Sequence, residues 1–187
     1  MNTESDFEHE AGDAAPEKHA PNGKKPHPAR FQPHQHFKRL GRELAMQYLF
    51  ECDLRDSVTE PNTMEDFWAQ AEESGEFADA RVFRRARAYA ENLIANAQAN
   101  DDVIMDYLDK FSEKWDVERM STVDRNIMKV AVAEMLYCPD IPHVVSIDEA
   151  IEIAKDFSDE KSGLFINGIL NGIKNEIEKK PAGGKTE

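Results

Sequence analysis

Apolar residues recur at helical spacing along most of the chain, and proline and glycine break the pattern into segments. The clearest case is residues 118–171, where three apolar stripes are separated by two short breaks. Within each stripe the apolar residues lie three or four positions apart, which places them on one face of a helix. Pro139 and Pro142 end the first stripe, because proline lacks an N–H and pushes the preceding residue out of the helical conformation. The stretch therefore predicts three packed helices.

Serines mark the predicted starts of these three helices. Ser121 with Asp124, and Ser146 with Glu149, have the spacing of a capping box, in which the serine hydroxyl accepts a backbone N–H three residues later. Ser162 can cap the third helix in the same way. We therefore expect one helix to begin at each serine.

Four further helices are predicted upstream, over residues 37–54, 64–73, 77–99 and 101–111. No segment has a convincing strand pattern, so the predicted fold class is all-α, with about seven helices. Residues 1–36 have too few large apolar side chains to offset the entropy of ordering, as do residues 179–187. We expect two disordered tails around one helical domain at residues 37–178.

Charge is distributed unevenly along the chain. The net charge of −14 disfavours nucleic-acid binding by the chain as a whole. The first helix nevertheless begins with Lys38, Arg39 and Arg42, which we call the α1 basic cluster. Positive charge at a helix N-terminus opposes the macrodipole, so the cluster calls for an explanation outside its own helix. The alternative is a solvated face whose side-chain stems cover apolar surface.

A second basic patch lies at the start of the third predicted helix. It consists of Arg81, Arg84, Arg85 and Arg87. The preceding residues 56–79 contain eight carboxylates and no lysine or arginine. We expect this acidic segment to neutralise the patch within the molecule.

Motifs typical of enzymes and metal sites are missing from the sequence. It contains no H-E-x-x-H, no C-x-x-C and no phosphate-binding glycine loop. His34 and His36 lack a cysteine partner, which argues against a metal site there. Cys52 and Cys138 lie in apolar helical patterns and are interpreted as reduced, buried thiols. We predict a protein that is not an enzyme, with no metal and no cofactor.

The N-terminus has no apolar signal-peptide core, and no apolar run reaches the length of a membrane span. We therefore expect a cytoplasmic protein.

The stretch 118–171 resembles the NusB family of transcription antitermination factors. The matching segments are residues 123–125, 127–128, 134–136, 141–142, 147–155, 160–162 and 165–170. The resemblance extends from about residue 37 to residue 177. Asp148, Ser158 and Asn171 depart from it, since the family usually has Asn, Gly and Asp at these positions.

The resemblance implies a fold, an RNA ligand and protein partners. It implies two packed helical subdomains, at about residues 37–114 and 115–178. It implies that the basic first helix binds a single-stranded boxA element of RNA, in a heterodimer with the small-subunit ribosomal protein NusE. The pair is expected to join RNA polymerase and to support elongation of ribosomal RNA operons. The family's basic motif carries over to Lys38, Arg39 and Arg42. Phe50 stands where the family often has Tyr and could stack on a base.

Two other interpretations stay open. A NusB-fold interaction module that has lost RNA binding is favoured by the charge of −14 and by Leu40 and Gly41, which interrupt the basic cluster. A relative of the NusB-like domain of ribosomal RNA methyltransferases is less favoured, because we find no cofactor-binding α/β domain in these residues. The sequence also leaves open whether the free protein is a monomer or a homodimer.

Overall fold

The computed structural model describes residues 37–55, 64–74, 79–112 and 120–179. The helices are α1 Phe37–Arg55, α2 Met64–Glu73, α3 Ala80–Ala99, α4 Asp101–Ser112, α5 Thr122–Tyr137, α6 His143–Phe157 and α7 Ser162–Lys179. The described residues contain no strand, so the predicted all-α architecture with about seven helices is confirmed. The predicted N-terminal tail and all but Lys179 of the predicted C-terminal tail lie outside the described residues.

Two of the three predicted serine caps are not formed as expected. Ser121 does cap α5, since its Oγ accepts the backbone N–H of Asp124 at 3.0 Å. The prediction that Ser146 caps α6 is wrong, because α6 begins one turn earlier, at His143. Pro142 occupies the N-cap position, and its carbonyl accepts the N–H of Val145 at 2.9 Å. Proline suits this position because its missing N–H would have no partner inside the helix. Ser162 is the first residue of α7, and its hydroxyl donates to a side chain of α5.

The central element is α5, which packs against α1, α3, α4, α6 and α7. Its sequence is apolar nearly all round, a pattern that belongs to a helix buried on every side. Ile127, Met128, Val130 and Val132 are all buried there. Five of the other six helices of the described residues therefore pack around α5.

Helices α1 and α3 approach each other closely at Gly41. A Cβ atom at this position would lie 2.9 Å from the carbonyl oxygen of Ala86, on α3. Leu40, the residue before it, is buried in the core. The two residues that interrupt the α1 basic cluster therefore have a packing role, because they let α1 lie directly on α3.

In the part of the chain that the structure describes, no helix has both the length and the apolarity to cross a bilayer. The expected boundary between two subdomains falls in residues 113–119, which are outside the described residues. The division into subdomains stays a prediction.

Candidate nucleic-acid interface

Arg42 of the α1 basic cluster points into the protein. Its Nε donates to both carboxylate oxygens of Glu134 on α5, at 2.9 and 3.1 Å. Its Nη1 lies 3.4 Å from Oε2 of Glu149 on α6. Arg42 is 4% exposed and Glu134 is 0% exposed. This guanidinium therefore forms a buried ion pair that fixes α1 to α5 and α6.

Glu134 is the centre of a buried polar network. The hydroxyl of Ser146 donates to its Oε2 at 2.5 Å, and the hydroxyl of Tyr89 donates to its Oε1. Burial, followed by the hydrogen bond to Glu134, raises the pKa of Tyr89 above its usual range. The carboxylate thus receives donors from α1, α3 and α6 while sitting on α5. Multiple donors of this kind are what a buried carboxylate needs, because its removal from water is costly unless it is paired and hydrogen-bonded.

Arg39 lies at the seam between α1 and α6. Its Nε donates to Glu43 at 2.5 Å, and its Nη2 donates to Asp156 on α6 at 2.9 Å. Its Nη1 lies 3.7 Å from Oε2 of Glu149. The side chain is only 13% exposed, so most of the guanidinium is surrounded by protein. Arg39 therefore shares Glu149 with Arg42 and helps to dock α6 on α1.

Lys38 turns toward α3 instead. Its Nζ lies 5.5 Å from the centre of the Tyr89 ring. The ring of Phe37 meets Tyr89 edge to face, with a centroid separation of 6.3 Å. The guanidinium of Arg85 lies 3.9 Å from the centre of the Phe37 ring. This end of α1 therefore combines two cations and two aromatic rings in one partly exposed group.

Phe50 is partly exposed and lies further along α1. It follows Arg39 by eleven positions, which places both on about the same face of the helix, roughly 16 Å apart. Lys38 lies about 120° round the helix from Phe50. The structure thus brings Arg39 and Arg42 together on Glu149 and places Arg42 and Lys38 over the same Tyr89 ring. Only Phe50 lies apart, further along α1. The contact of these four residues with RNA stays a prediction.

The distant carboxylates that pair with the cluster were not identified from the sequence. These are Glu134, Glu149 and Asp156, which lie between 92 and 117 positions from their arginines. One local signal was available for Glu134, since it is a carboxylate within a helix that is apolar nearly all round. Such a group requires a buried cation or several donors. No comparable local signal pointed to Asp156.

The predicted neutralisation of the second basic patch holds for Arg87. Its Nη1 lies 3.4 Å from Glu72 on α2, and its Nε donates to Glu91 at 2.9 Å. Asp79, another carboxylate of the acidic segment, caps α3 by accepting the N–H of Arg81 at 2.8 Å. Part of the acidic segment thus serves the fold of α2 and α3.

The described ranges lack a metal-binding cluster. No group of three or more His, Cys, Asp or Glu side chains there could hold a metal ion. His34 and His36 lie outside these ranges. Cys138 is buried and Cys52 is half-buried, and both are free thiols. Burial raises the pKa of both thiols, which leaves them mostly protonated and poorly nucleophilic at neutral pH.

Comparison with known proteins gives one consistent result. The model of the NusB family matches residues 39–175. The transcription antitermination protein NusB of Bacillus cereus is 41% identical over 140 residues, which cover 75% of this chain and 98% of the relative. The protein of the same name from Natranaerobius thermophilus is 36% identical over 142 residues, which cover 76% and 97%.

Solved structures match as well. The structure of T. maritima NusB is 34% identical, with a TM-score of 0.58, and the match covers 74% of this chain and 91% of that one. A crystal structure of the antitermination factors NusB and NusE in complex with dsRNA matches with a TM-score of 0.60 and covers 75% and 97%. At 24% identity, that second likeness concerns the fold alone.

Proposed function

The chain belongs to the NusB family, and from this membership we propose that it is a transcription antitermination factor. In this role it binds boxA-type single-stranded RNA together with the small-subunit ribosomal protein NusE. The pair joins RNA polymerase and supports the elongation of ribosomal RNA operons. The function consists of binding, with no catalytic step and no cofactor, and it is carried out in the cytoplasm.

The observation that carries the RNA assignment is the basic and aromatic N-terminal end of α1. Lys38 and Phe37 stand beside Tyr89 and the guanidinium of Arg85, in a chain whose net charge is −14. A group that combines cations with aromatic rings suits single-stranded RNA, because phosphates pair with the cations and bases stack on the rings. The N-terminal end of α1 is therefore locally positive, although the net charge of the whole chain repels RNA.

The four predicted site residues receive different roles in this proposal. Lys38 and Arg39 contact phosphates, and Phe50 offers a ring to a base. Arg42, which is 4% exposed, contributes by holding α1 in place through its ion pair with Glu134.

A second candidate function is a NusB-fold interaction module without RNA binding. It is favoured by the pairing of Arg39 and Arg42 with carboxylates of α5 and α6, which satisfies these charges inside the protein. In this case the α1 basic cluster serves only the fold.

A binding titration separates the two candidates. Fluorescence anisotropy of a labelled boxA-like RNA is measured with the protein alone and with the ribosomal protein added, at low and at moderate salt. We expect binding that weakens as salt rises, since phosphate contacts release counterions. We also expect the ribosomal protein to raise the affinity. An RNA that stays unbound in both settings would establish the interaction module instead.

The same titration tests the α1 residues. The variant Lys38→Ala/Arg39→Ala should weaken RNA binding more than the matched control Lys161→Ala/Lys174→Ala on the α7 side of the molecule. Affinity for the ribosomal protein is measured in parallel. If the α1 variant loses affinity for the ribosomal protein but keeps its affinity for RNA, the start of α1 is a protein interface and not the RNA site. Arg42 is left unchanged, because its loss would disturb the buried carboxylates.

A further inference from the structure

The solvent-facing side of α3 is basic over its first two turns. Arg81, Arg84 and Arg85 are exposed, and we call them the α3 arginine face. At about 100° per residue these three lie within an arc of roughly 100°. Ala88 continues the same side of the helix and is also exposed. The first acidic residue of α3 is Glu91, which is engaged with Arg87.

The α3 arginine face is not neutralised by the surrounding helices. Within residues 37–55, 64–74, 79–112 and 120–179, none of its three guanidinium groups has a carboxylate partner. This contrasts with Arg39, Arg42 and Arg87, whose charges are paired. Among the described residues, Arg81 and Arg84 therefore have no ion-pair partner, and Arg85 lies over the ring of Phe37 instead of a carboxylate.

Local energetics disfavour this arrangement of charge. Arg81 and Arg85 are four positions apart, and a like-charged pair at this spacing destabilises a helix by roughly 0.2–0.5 kcal/mol. Positive charge in the first turns also opposes the macrodipole, which Asp79 offsets only at the cap. A sequence that breaks local rules without a visible gain in the fold points to a functional site.

The α3 arginine face is continuous with the start of α1. The guanidinium of Arg85 lies on the ring of Phe37, the first residue of α1. One turn further along α3, Tyr89 contacts both Phe37 and Lys38. From Arg81 to Tyr89 this line covers about 12 Å along the axis of α3. Cations and aromatic rings thus alternate from α3 onto α1.

We infer that the RNA bound at α1 continues onto the α3 arginine face, whose three guanidinium groups hold its phosphates. This inference rests on the proposed RNA-binding function and adds a second helix to the site. Guanidinium groups pair with phosphate oxygens in a bidentate manner and stack on bases. Single-stranded RNA can follow the bend between two helices, since its backbone is flexible and its bases stack on any aromatic face.

The test compares two triple variants of equal charge in the full chain. Arg81→Ala/Arg84→Ala/Arg85→Ala removes the α3 arginine face, while Lys161→Ala/Lys174→Ala/Lys179→Ala removes three cations at α7, which packs against α4, α5 and α6. The affinity for boxA-like RNA is measured at several salt concentrations. The α3 variant should bind between tenfold and hundredfold more weakly at about 0.1 M salt. Its salt slope should fall by about 0.7 for each phosphate contact that is lost.

A conservative variant separates charge from folding. Arg81→Lys/Arg84→Lys/Arg85→Lys keeps the cations, and it should retain most of the affinity because lysine also binds phosphate as a point charge. Circular dichroism shows whether the alanine variant is folded. If it is unfolded, wild type is compared with variants that replace one arginine at a time.

Four results would overturn the inference. The α3 variant could bind RNA as wild type does, which would leave the proposed function intact and confine the site to α1. The α7 control could lose as much affinity, so that net charge alone mattered. The α3 variant could lose the ribosomal protein rather than RNA. Finally, wild type could bind no RNA even with the partner present, in which case the proposed function fails as well.

Discussion

Replacement of Arg42 by alanine should destabilise the protein strongly, although arginine in a basic cluster usually lies at the protein surface. The substitution removes both hydrogen bonds from the Arg42 guanidinium to Glu134 and the nearby charge that faces Glu149. Glu134 would keep the hydroxyl donors of Ser146 and Tyr89, but it would lose its cation. A fully buried carboxylate would then lack charge compensation.

The size of the effect follows from this burial. Removing one partner of a buried ion pair costs about 3–5 kcal/mol, because the other charge remains buried and uncompensated. A domain of this kind is stable by roughly 5–15 kcal/mol in total. One kcal/mol shifts the melting temperature by about 2–4 °C at this size, so we expect a decrease of roughly 6–20 °C.

Urea denaturation followed by circular dichroism measures the free energy of unfolding. The matched control is Arg125→Ala, whose partner is Asp53 at 2.9 Å and whose side chain is 39% exposed. An exposed pair of this kind contributes about 1 kcal/mol or less. The double variant Arg42→Ala/Glu134→Ala should be more stable than the sum of the two single losses implies, since it leaves no unpaired charge.

A cost for Arg42→Ala no larger than that of Arg125→Ala would contradict a buried, paired Arg42 charge. So would strict additivity in the double variant. Either result would mean that the Arg42 charge is directed to solvent and available for a ligand, rather than committed to α5.

Three further predictions concern the helix contacts around this network. Gly41→Ala should cost about 1–3 kcal/mol of stability through overpacking between α1 and α3. In the control Gly163→Ala the new Cβ would lie 3.6 Å from the nearest atom, so this change should be neutral or stabilising by up to about 1 kcal/mol. Equal effects of the two substitutions in urea denaturation would reject the close contact. Ser146→Ala should cost about 1.5–3 kcal/mol, because its hydroxyl donates to a buried carboxylate; an unchanged denaturation midpoint would exclude this bond. The pKa of Tyr89 is raised above that of tyrosine in an unfolded chain, which is about 10. The stability that neutral Tyr89 contributes is therefore complete below about pH 10 and is lost as the pH rises further. Tyr89→Phe should therefore lose less stability than wild type between about pH 10 and pH 12, and parallel curves would contradict the assignment.

The fold was predictable from sequence because its information is local. The apolar stripe of α5 and the Ser121–Asp124 spacing each lie within one segment, and both predicted the observed structure. The predicted start of α6 was wrong, because two local signals close together in the sequence favour different starts. The Ser146 capping pattern predicts a start at Ser146, whereas α6 starts one turn earlier, with Pro142 at the N-cap.

The candidate site was harder to predict because it depends on distant residues. The sequence shows Arg42 in a basic cluster. The direction of its side chain, however, is determined by Glu134, which lies 92 positions away. The contact between Phe37 and Arg85 likewise joins two helices through packing. A pattern within one helix can state which residues share a face, but it does not identify the partner opposite that face. Charge pairing across the fold therefore had to come from the structure.

The most direct test of the RNA-binding account is an NMR titration of the isotopically labelled protein with boxA-like RNA, followed at the backbone amides. Chemical-shift changes should be concentrated at residues 37–39, 50 and 81–85, with α7 little affected. Changes confined to other helices, or no changes at all at saturating RNA with the ribosomal protein present, would contradict the RNA-binding account.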